Sequence, residues 1–273
     1  MEPFTNIARL SLNQRTTQRW GVREAVDGCA QADIPFIGLW RDKVAETGLS
    51  ESVHIVRDAG IHVSSLCRGG WFAAASVKER QARLDDNRRA IDEAAALGAD
   101  VLVLVCGPAA DSDIGAARTY VEDALTLLLP YAVEHKVRLG IEPMHPMYAA
   151  DRSVIVTLAE ANRLVRHFNS RYVGVVIDAY HVWWDPEVYT QIAEAAGSIL
   201  GFHVSDWLVP TPDMLMGRGM MGDGVIELRR LRQAVDAAGY TGPIEVEIFN
   251  QAIWNAPGDE TLALMVKRYL EYV

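Results

Sequence analysis

Gly140-Ile141-Glu142-Pro143-Met144-His145-Pro146-Met147 begins as an apolar run of strand length and reaches a carboxylate where a proline-rich loop starts. The same design recurs three times downstream. It appears in Val175-Val176-Ile177-Asp178-Ala179-Tyr180-His181, in Leu200-Gly201-Phe202-His203-Val204-Ser205-Asp206-Trp207 and in Ile244-Glu245-Val246-Glu247-Ile248-Phe249. Side chains alternate between the two faces of a strand, so parity tells whether the polar endings share a side. Glu142 lies with Gly140, against Leu139 and Ile141, and Asp178 lies with Gly174 and Val176, against Val175 and Ile177. His203 lies with Gly201 and Ser205, against Phe202 and Val204, and Glu247 lies with Glu245, against Ile244, Val246 and Ile248. Each bulky apolar set can face covering helices while the polar residue faces a common axis. Four successive strand ends that deliver such groups to one place predict a barrel, which keeps its chemistry at the C-terminal ends of parallel strands.

The rest of the chain keeps this rhythm. Strands are expected at 7–12, 35–40, 61–67 and 100–106, the last almost wholly apolar, as a parallel strand buried on both faces should be. Thr16 and Thr17 are placed to cap a helix running to about residue 32. Further helices are expected at about 50–59, closed by Gly60, at 77–97, closed by Gly98, and at 114–135 and 157–168. Three more follow at about 186–196, where Pro186 suits a first turn, 226–238 and 260–272. No Pro/Gly/Ser-rich linker interrupts the series. Residues 1–273 therefore read as a single (β/α)8 TIM barrel of the α/β class. A doubly wound sheet would carry a glycine-rich phosphate loop after its first strand, and Leu10-Ser11-Leu12-Asn13-Gln14 is nothing of the kind.

A formal charge of −10 argues against a nucleic-acid-binding surface, which needs concentrated Lys and Arg. No run approaches the roughly 18 apolar residues of a membrane span. The N-terminus lacks a basic flank and apolar signal core, so a cytoplasmic location is expected. Cys29, Cys67 and Cys106 are scattered and read as reduced thiols, Cys67 and Cys106 as core packing.

Three carboxylates gathered at one barrel mouth would repel one another strongly without a cation. One divalent ion and a neutral His203 leave the set Glu142, Asp178, His203 and Glu247 near a single negative charge. An oxygen-rich set with one nitrogen and no thiolate suits Mn²⁺, with Mg²⁺ or Co²⁺ as alternatives, better than a structural zinc site. His145 follows the first of these residues by three positions, between Pro143 and Pro146, so the loop should hold it near the metal. An imidazole there can take a proton from carbon beside a metal-polarised carbonyl. Trp40, Trp71, Trp183, Trp184, Trp207 and Trp254 fall at or just after expected strand ends, where flat rings can stack on a sugar face or an aromatic group. Met214, Met216, Met220 and Met221 belong to one loop, read as an apolar lid or a partner surface.

Ile141-Glu142, Asp178-Ala179-Tyr180-His181, His203-Val204-Ser205-Asp206, Gly222-Asp223-Gly224-Val225-Ile226-Glu227 and Gly239-Tyr240-Thr241-Gly242 with Glu247 resemble the xylose-isomerase-like barrels. That family includes ketose 3-epimerases, hydroxypyruvate isomerase and endonuclease IV relatives. The resemblance implies that Glu142, Asp178, His203 and Glu247 bind the metal, and that His181 and Arg218 touch substrate oxygens. It selects Glu247 over Glu245, leaving Glu245 as a buried partner for a basic residue such as Arg138. Residues 142–152, 206–211 and 218–224 further resemble the large subunit of bacterial C-glycoside deglycosidases. This implies a carbon–carbon lyase acting on 3-keto C-glucosides: a base, His145 with Glu142 and Glu247, removes the C2 proton beside a metal-held C3 carbonyl, and the aglycone leaves C1. Trp40, Trp71 and Trp207 would then contact substrate, and a small β-rich subunit would complete a hetero-oligomer. The alternative is a metal-dependent isomerase or epimerase of a ketose, in which the two glutamates move the proton. A nuclease would need more histidines and a basic face.

Overall fold

In the computed structural model, which describes residues 6–110 and 113–273, alternating strands and helices close a parallel barrel. Its first strands are β1 (Leu10–Asn13), β2 (Phe36–Trp40), β3 (His62–Gly70), β4 (Leu102–Val105), β5 (Leu139–Ile141), β6 (Val173–Asp178) and β7 (Ile199–Val204). A short antiparallel ribbon, β8 (Asp206–Trp207) and β9 (Arg218–Gly219), precedes the last barrel strand, β10 (Ile244–Val246). Closure pairs β10 with β1, setting Ile244 opposite Leu10 and Val246 opposite Leu12. The helices between them are α1 (Val22–Gln31), α2 (Arg41–Thr47), α3 (Leu49–Ala59), α4 (Val77–Leu97), α5 (Ile114–Glu134) and α6 (Leu158–Phe168). After β6 come α7 (Ala179–Val182), α8 (Val188–Glu194), α9 (Leu228–Ala237), α10 (Gln251–Asn255) and α11 (Gly258–Tyr272).

The parity argument describes both layers. Ile141, Val175, Ile177, Phe202, Val204, Ile244 and Val246 are buried in one continuous cluster with the apolar stripes of the helices. Full burial of such a side chain contributes about 1.5–3 kcal/mol, so this seam is where the barrel gains its stability. Val176, of opposite parity, packs with Cys67, Val101 and Val103 in a separate cluster. Local signals set the helix ends. Ser76 and Glu79 form a capping box that starts α4, and Gly98 closes it in the left-handed region at φ 66°. Thr157 and Glu160 start α6 in the same way.

Two expectations need correction. Thr16 does not cap a helix: its hydroxyl donates to Val246 O (2.8 Å) and accepts from Ile248 N–H (3.1 Å). It ties the loop after β1 to the end of β10, and α1 begins later, where the Glu24 carboxylate accepts from Gly21 N–H (2.9 Å). Arg138 does not partner Glu245 either. It precedes β5 and donates to Asp100 O (2.8 Å), whereas Glu245 lies inside the barrel. There the Glu245 carboxylate accepts from Asn13 Nδ2 (2.6 Å), Ser64 Oγ (2.7 Å) and Ser65 Oγ (3.0 Å). Gly38 makes room for it, since a Cβ at that position would lie 2.1 Å from Glu245 Oε1.

Glu245→Leu keeps most of the volume but turns three buried donors toward methyl groups. It is expected to cost about 3 kcal/mol, read as a lower urea midpoint with unchanged slope. Glu245→Gln keeps one carbonyl acceptor and should fall between it and the parent.

Candidate metal centre

Four neighbouring strands deliver the cluster. Glu142 follows β5, Asp178 ends β6, His203 lies in β7 and Glu247 follows β10. One ligand atom from each lies within 4.8 Å of all the others, and all four residues are buried. His203 Nδ1 is 3.5 Å from Glu142 Oε1 and 3.9 Å from Glu247 Oε2, while its Nε2 looks toward Glu245 Oε1 at 3.7 Å. Glu142 Oε1 and both His203 nitrogens are buried without a hydrogen-bond partner. An orphaned buried polar atom costs about 1–3 kcal/mol, so several converging on one point are a cost that a bound cation removes. The donor set fits a metal site. Glu245 behind His203 stands where an outer partner fixes which ring nitrogen faces the ion.

A cavity of about 250 Å³ opens over Glu142 and Glu247, bordered also by His181, Arg218, Trp40 and Tyr148. An adjoining cleft of about 410 Å³ is bordered by Trp40, Trp71 and Arg68. Trp40 and Trp71 thus stand at the mouth. Trp207 does not border either space: its ring stacks on Tyr180 (4.7 Å) and on His145 (5.1 Å). His145 lies beside it, with its ring near Trp207 (5.1 Å) and Trp184 (5.6 Å) and its Nδ1 accepting from Met147 N–H (3.2 Å). The proline-rich loop presents Met144 and Tyr148 to the cavity. Sequence reasoning had no means of telling which of its side chains turns inward.

Arg218 was expected on substrate oxygens and is found on the metal ligands. Its Nη1 bonds Asp178 Oδ2 (2.9 Å) and Glu247 Oε2 (3.0 Å), and its Nη2 lies 3.2 Å from His181 Nε2. The loop 208–217 folds over the mouth, where the Tyr148 and Tyr180 hydroxyls both donate to Met214 O and Leu215 borders the cavity. Met220 and Met221, by contrast, are buried in the core.

Residues 26–268 match the family model described as the xylose isomerase-like TIM barrel. The chain belongs to that family. Protein SMc04130 of Sinorhizobium meliloti, a solved structure, superposes with a TM-score of 0.96 at 48% identity, covering 98% of this chain and 99% of that one. The 3-dehydroshikimate dehydratase of Pseudomonas putida is 30% identical over 219 residues, 76% of this chain and 32% of the relative. This barrel therefore spans about a third of the length of that dehydratase. The L-ribulose-5-phosphate 3-epimerase UlaE of Shigella boydii is 23% identical over 224 residues, 79% of this chain and 72% of the relative. Among the described residues no helix of this xylose isomerase-like barrel is long and apolar enough to cross a membrane.

Burial sets the protonation of the centre. It pushes the Glu142 carboxyl up to about 7, with His203 opposing and Glu247 adding to the push. Burial also favours the neutral forms of Asp178 and Glu247, but Arg218 and the neighbouring histidines outweigh it, and both carboxyls sit below their ordinary range. Burial works against a charge on His203, yet Glu245, Glu142 and Glu247 carry it well above the usual imidazole range. His181 is pushed down to about 3 by burial and is neutral.

Protein stripped with a chelator is expected to take up one divalent ion. Asp178→Ala or His203→Ala should weaken uptake by roughly 100-fold or more, since even outer partners of a metal are worth 10–100-fold. Glu142 and His203 must both give up protons to bind the ion, so affinity should fall as pH drops through about 7 and rise above it. Calorimetry in buffers of different ionisation enthalpy would count the protons released.

Proposed function

We propose that this barrel is a divalent-metal-dependent lyase acting on a polyhydroxylated ketone. It takes the proton from the carbon next to the carbonyl and expels a group from the carbon after it. The carrying observation is that Glu142 and Glu247, two members of the four-residue cluster, also border one cavity of about 250 Å³, the scale of a single sugar ring. A divalent cation held by Glu142, Asp178, His203 and Glu247, most simply Mn²⁺ for so oxygen-rich a set, would polarise the carbonyl and lower the cost of the neighbouring carbanion.

The chain's own groups do the rest. Glu142, ionised once it holds the ion, borders the cavity and can accept the substrate proton. Glu247, kept ionised by Arg218, is the second carboxylate within reach. Arg218 acts as a positioning residue, holding Asp178 and Glu247 in one orientation. Neutral His181 on the cavity wall is a partner for a substrate hydroxyl. His145, packed against Trp207 and Trp184, supports the loop that carries Met144 and Tyr148, and its role as the base is the part of this reading that His145→Ala tests.

Elimination is supported by the 30%-identical relative, whose name describes the dehydration of 3-dehydroshikimate. A 3-keto C-glucoside is the form of this reaction in which the expelled group is an aromatic aglycone. Such a ring would stack in the adjoining cleft beside Trp40 and Trp71, and a small partner subunit belongs to that form. The second reading, epimerisation, draws on the same two glutamates: with both on one cavity, one can remove the proton and the other return it.

Proton NMR in D2O with the Mn²⁺-loaded protein separates these outcomes on 3-dehydroshikimate, a 3-keto C-glucoside and free ketoses. Loss of the α-proton signal with release of water or aglycone is expected, abolished by chelation. Glu142→Gln and Glu247→Gln should each lose about 10²–10⁴-fold in rate, the range for a general base, while His145→Ala keeps exchange. Exchange without release moves the assignment to an epimerase. No exchange by fully metal-loaded protein on any of these ketones would sink the proposal.

A further inference from the structure

The wall of the cavity carries more positive charge than the metal ligands need. Arg15, Arg68, Arg152 and Arg218 all border it, in a chain whose formal charge is −10. Two of the four are accounted for. Arg218 is paired with Asp178 and Glu247, and Arg15 Nη2 grips both oxygens of Asp42 (2.9 and 2.8 Å). The other two are held less firmly. The Arg68 guanidinium lies over the Trp71 ring at 4.2 Å, and among the described residues no hydrogen bond or ion pair holds it. Arg152 Nε is buried without a hydrogen-bond partner, and its carboxylate neighbour, Asp151 Oδ2, stands off at 3.8 Å.

We propose that Arg68 and Arg152 form an anion-binding subsite of this cavity, and that the substrate carries an ionised carboxylate or phosphate group. The proposal rests on the metal-dependent reading above and specifies the substrate class of the same site. A divalent ion and Arg218 together balance the three carboxylates of the cluster, so nothing within the centre neutralises Arg68 and Arg152. Burial, and after it repulsion from Arg152, pushes the Arg68 guanidinium down, a penalty that an anion between the two relieves. Stacking on Trp71 also orders Arg68 in advance. The Trp71 backbone N–H donates to Val105 O (2.8 Å), which anchors the main chain that carries the ring, and the guanidinium over that ring offers a planar fork to two oxygens of one group. A neutral 3-keto glucoside leaves Arg68 unpaired and Arg152 with only the distant, exposed Asp151 carboxylate. A keto acid or a sugar phosphate does not.

The test compares matched ketoses on metal-loaded protein by calorimetry: D-fructose, D-fructose 1-phosphate and 5-keto-D-gluconate. A charged ketose is expected to bind at least about 10-fold tighter than D-fructose, with the advantage shrinking as salt rises. Arg68→Met and Arg152→Met, which keep an apolar stem, should each remove roughly 10-fold or more of that preference while leaving D-fructose binding and metal content unchanged. Whichever charged ketose binds tighter identifies the group as phosphate or carboxylate. Inorganic phosphate titrated into stripped protein should still bind, and lose affinity in Arg68→Met, which separates the subsite from an anion resting on the metal. Equal binding of neutral and charged ketoses, or a preference that survives both substitutions, would overturn the proposal. Metal content, measured in parallel, reports on the metal centre separately: protein that takes up no ion yet keeps its anion preference retains the subsite and loses the lyase reading.

Discussion

Three carboxylates and an imidazole converge on one buried point at the C-terminal mouth of the barrel, and their mutual repulsion governs what is built around them. Without an ion, the only cation bonded to the cluster among the described residues is Arg218, which bridges Asp178 and Glu247. Its delivery explains an otherwise odd insertion. The ribbon of β8 and β9 sets Arg218 opposite Trp207, and Asn250 Nδ2 donates to Arg218 O (2.8 Å) from the start of α10. The guanidinium also lies near the Tyr180 ring (4.6 Å) and the Phe249 ring (5.0 Å). A side chain so enclosed has little freedom left, which suits a group that must hold two carboxylates still.

The same constraint extends to the loops. Asp206, at the start of the ribbon, accepts from the N–H groups of Gly222, Gly224 and Ile226, tying down the segment that leads into α9. Between β8 and β9 two tyrosine hydroxyls meet Met214 O, and Leu215 beside it borders the cavity. Tyr148 and Tyr180 therefore link the mouth loops to the elements that carry Glu142 and Asp178.

Much of this was legible before any tertiary structure. Alternation within strands assigned Val176 to one layer and Val175 and Ile177 to the other, and the two clusters divide them that way. The four cluster residues announced themselves because each stands at a strand end, where a local pattern changes period. The helix limits at Ser76, Gly98 and Thr157 follow from capping chemistry that is complete within a few residues. Thr16 misled because a hydroxyl that caps a helix and one that ties two loops together look identical in sequence. The loop around His145 carries a related ambiguity: proline fixes the backbone but not the side of the loop to which a ring turns.

The sequence by itself determined the barrel, its covering helices and the four residues that meet at its mouth. Strand parity and helix capping act over a few residues, so the chain carries them in plain order. The tertiary structure alone decided the partners. Glu245 is satisfied by Asn13, 232 positions away, Arg218 by Asp178, 40 positions away, and the His145 ring stacks on Trp207. It also decided how closely each arginine on the cavity wall meets a counter-charge. Electrostatic balance depends on distances between groups that only closure of the barrel brings together, and no local pattern records it.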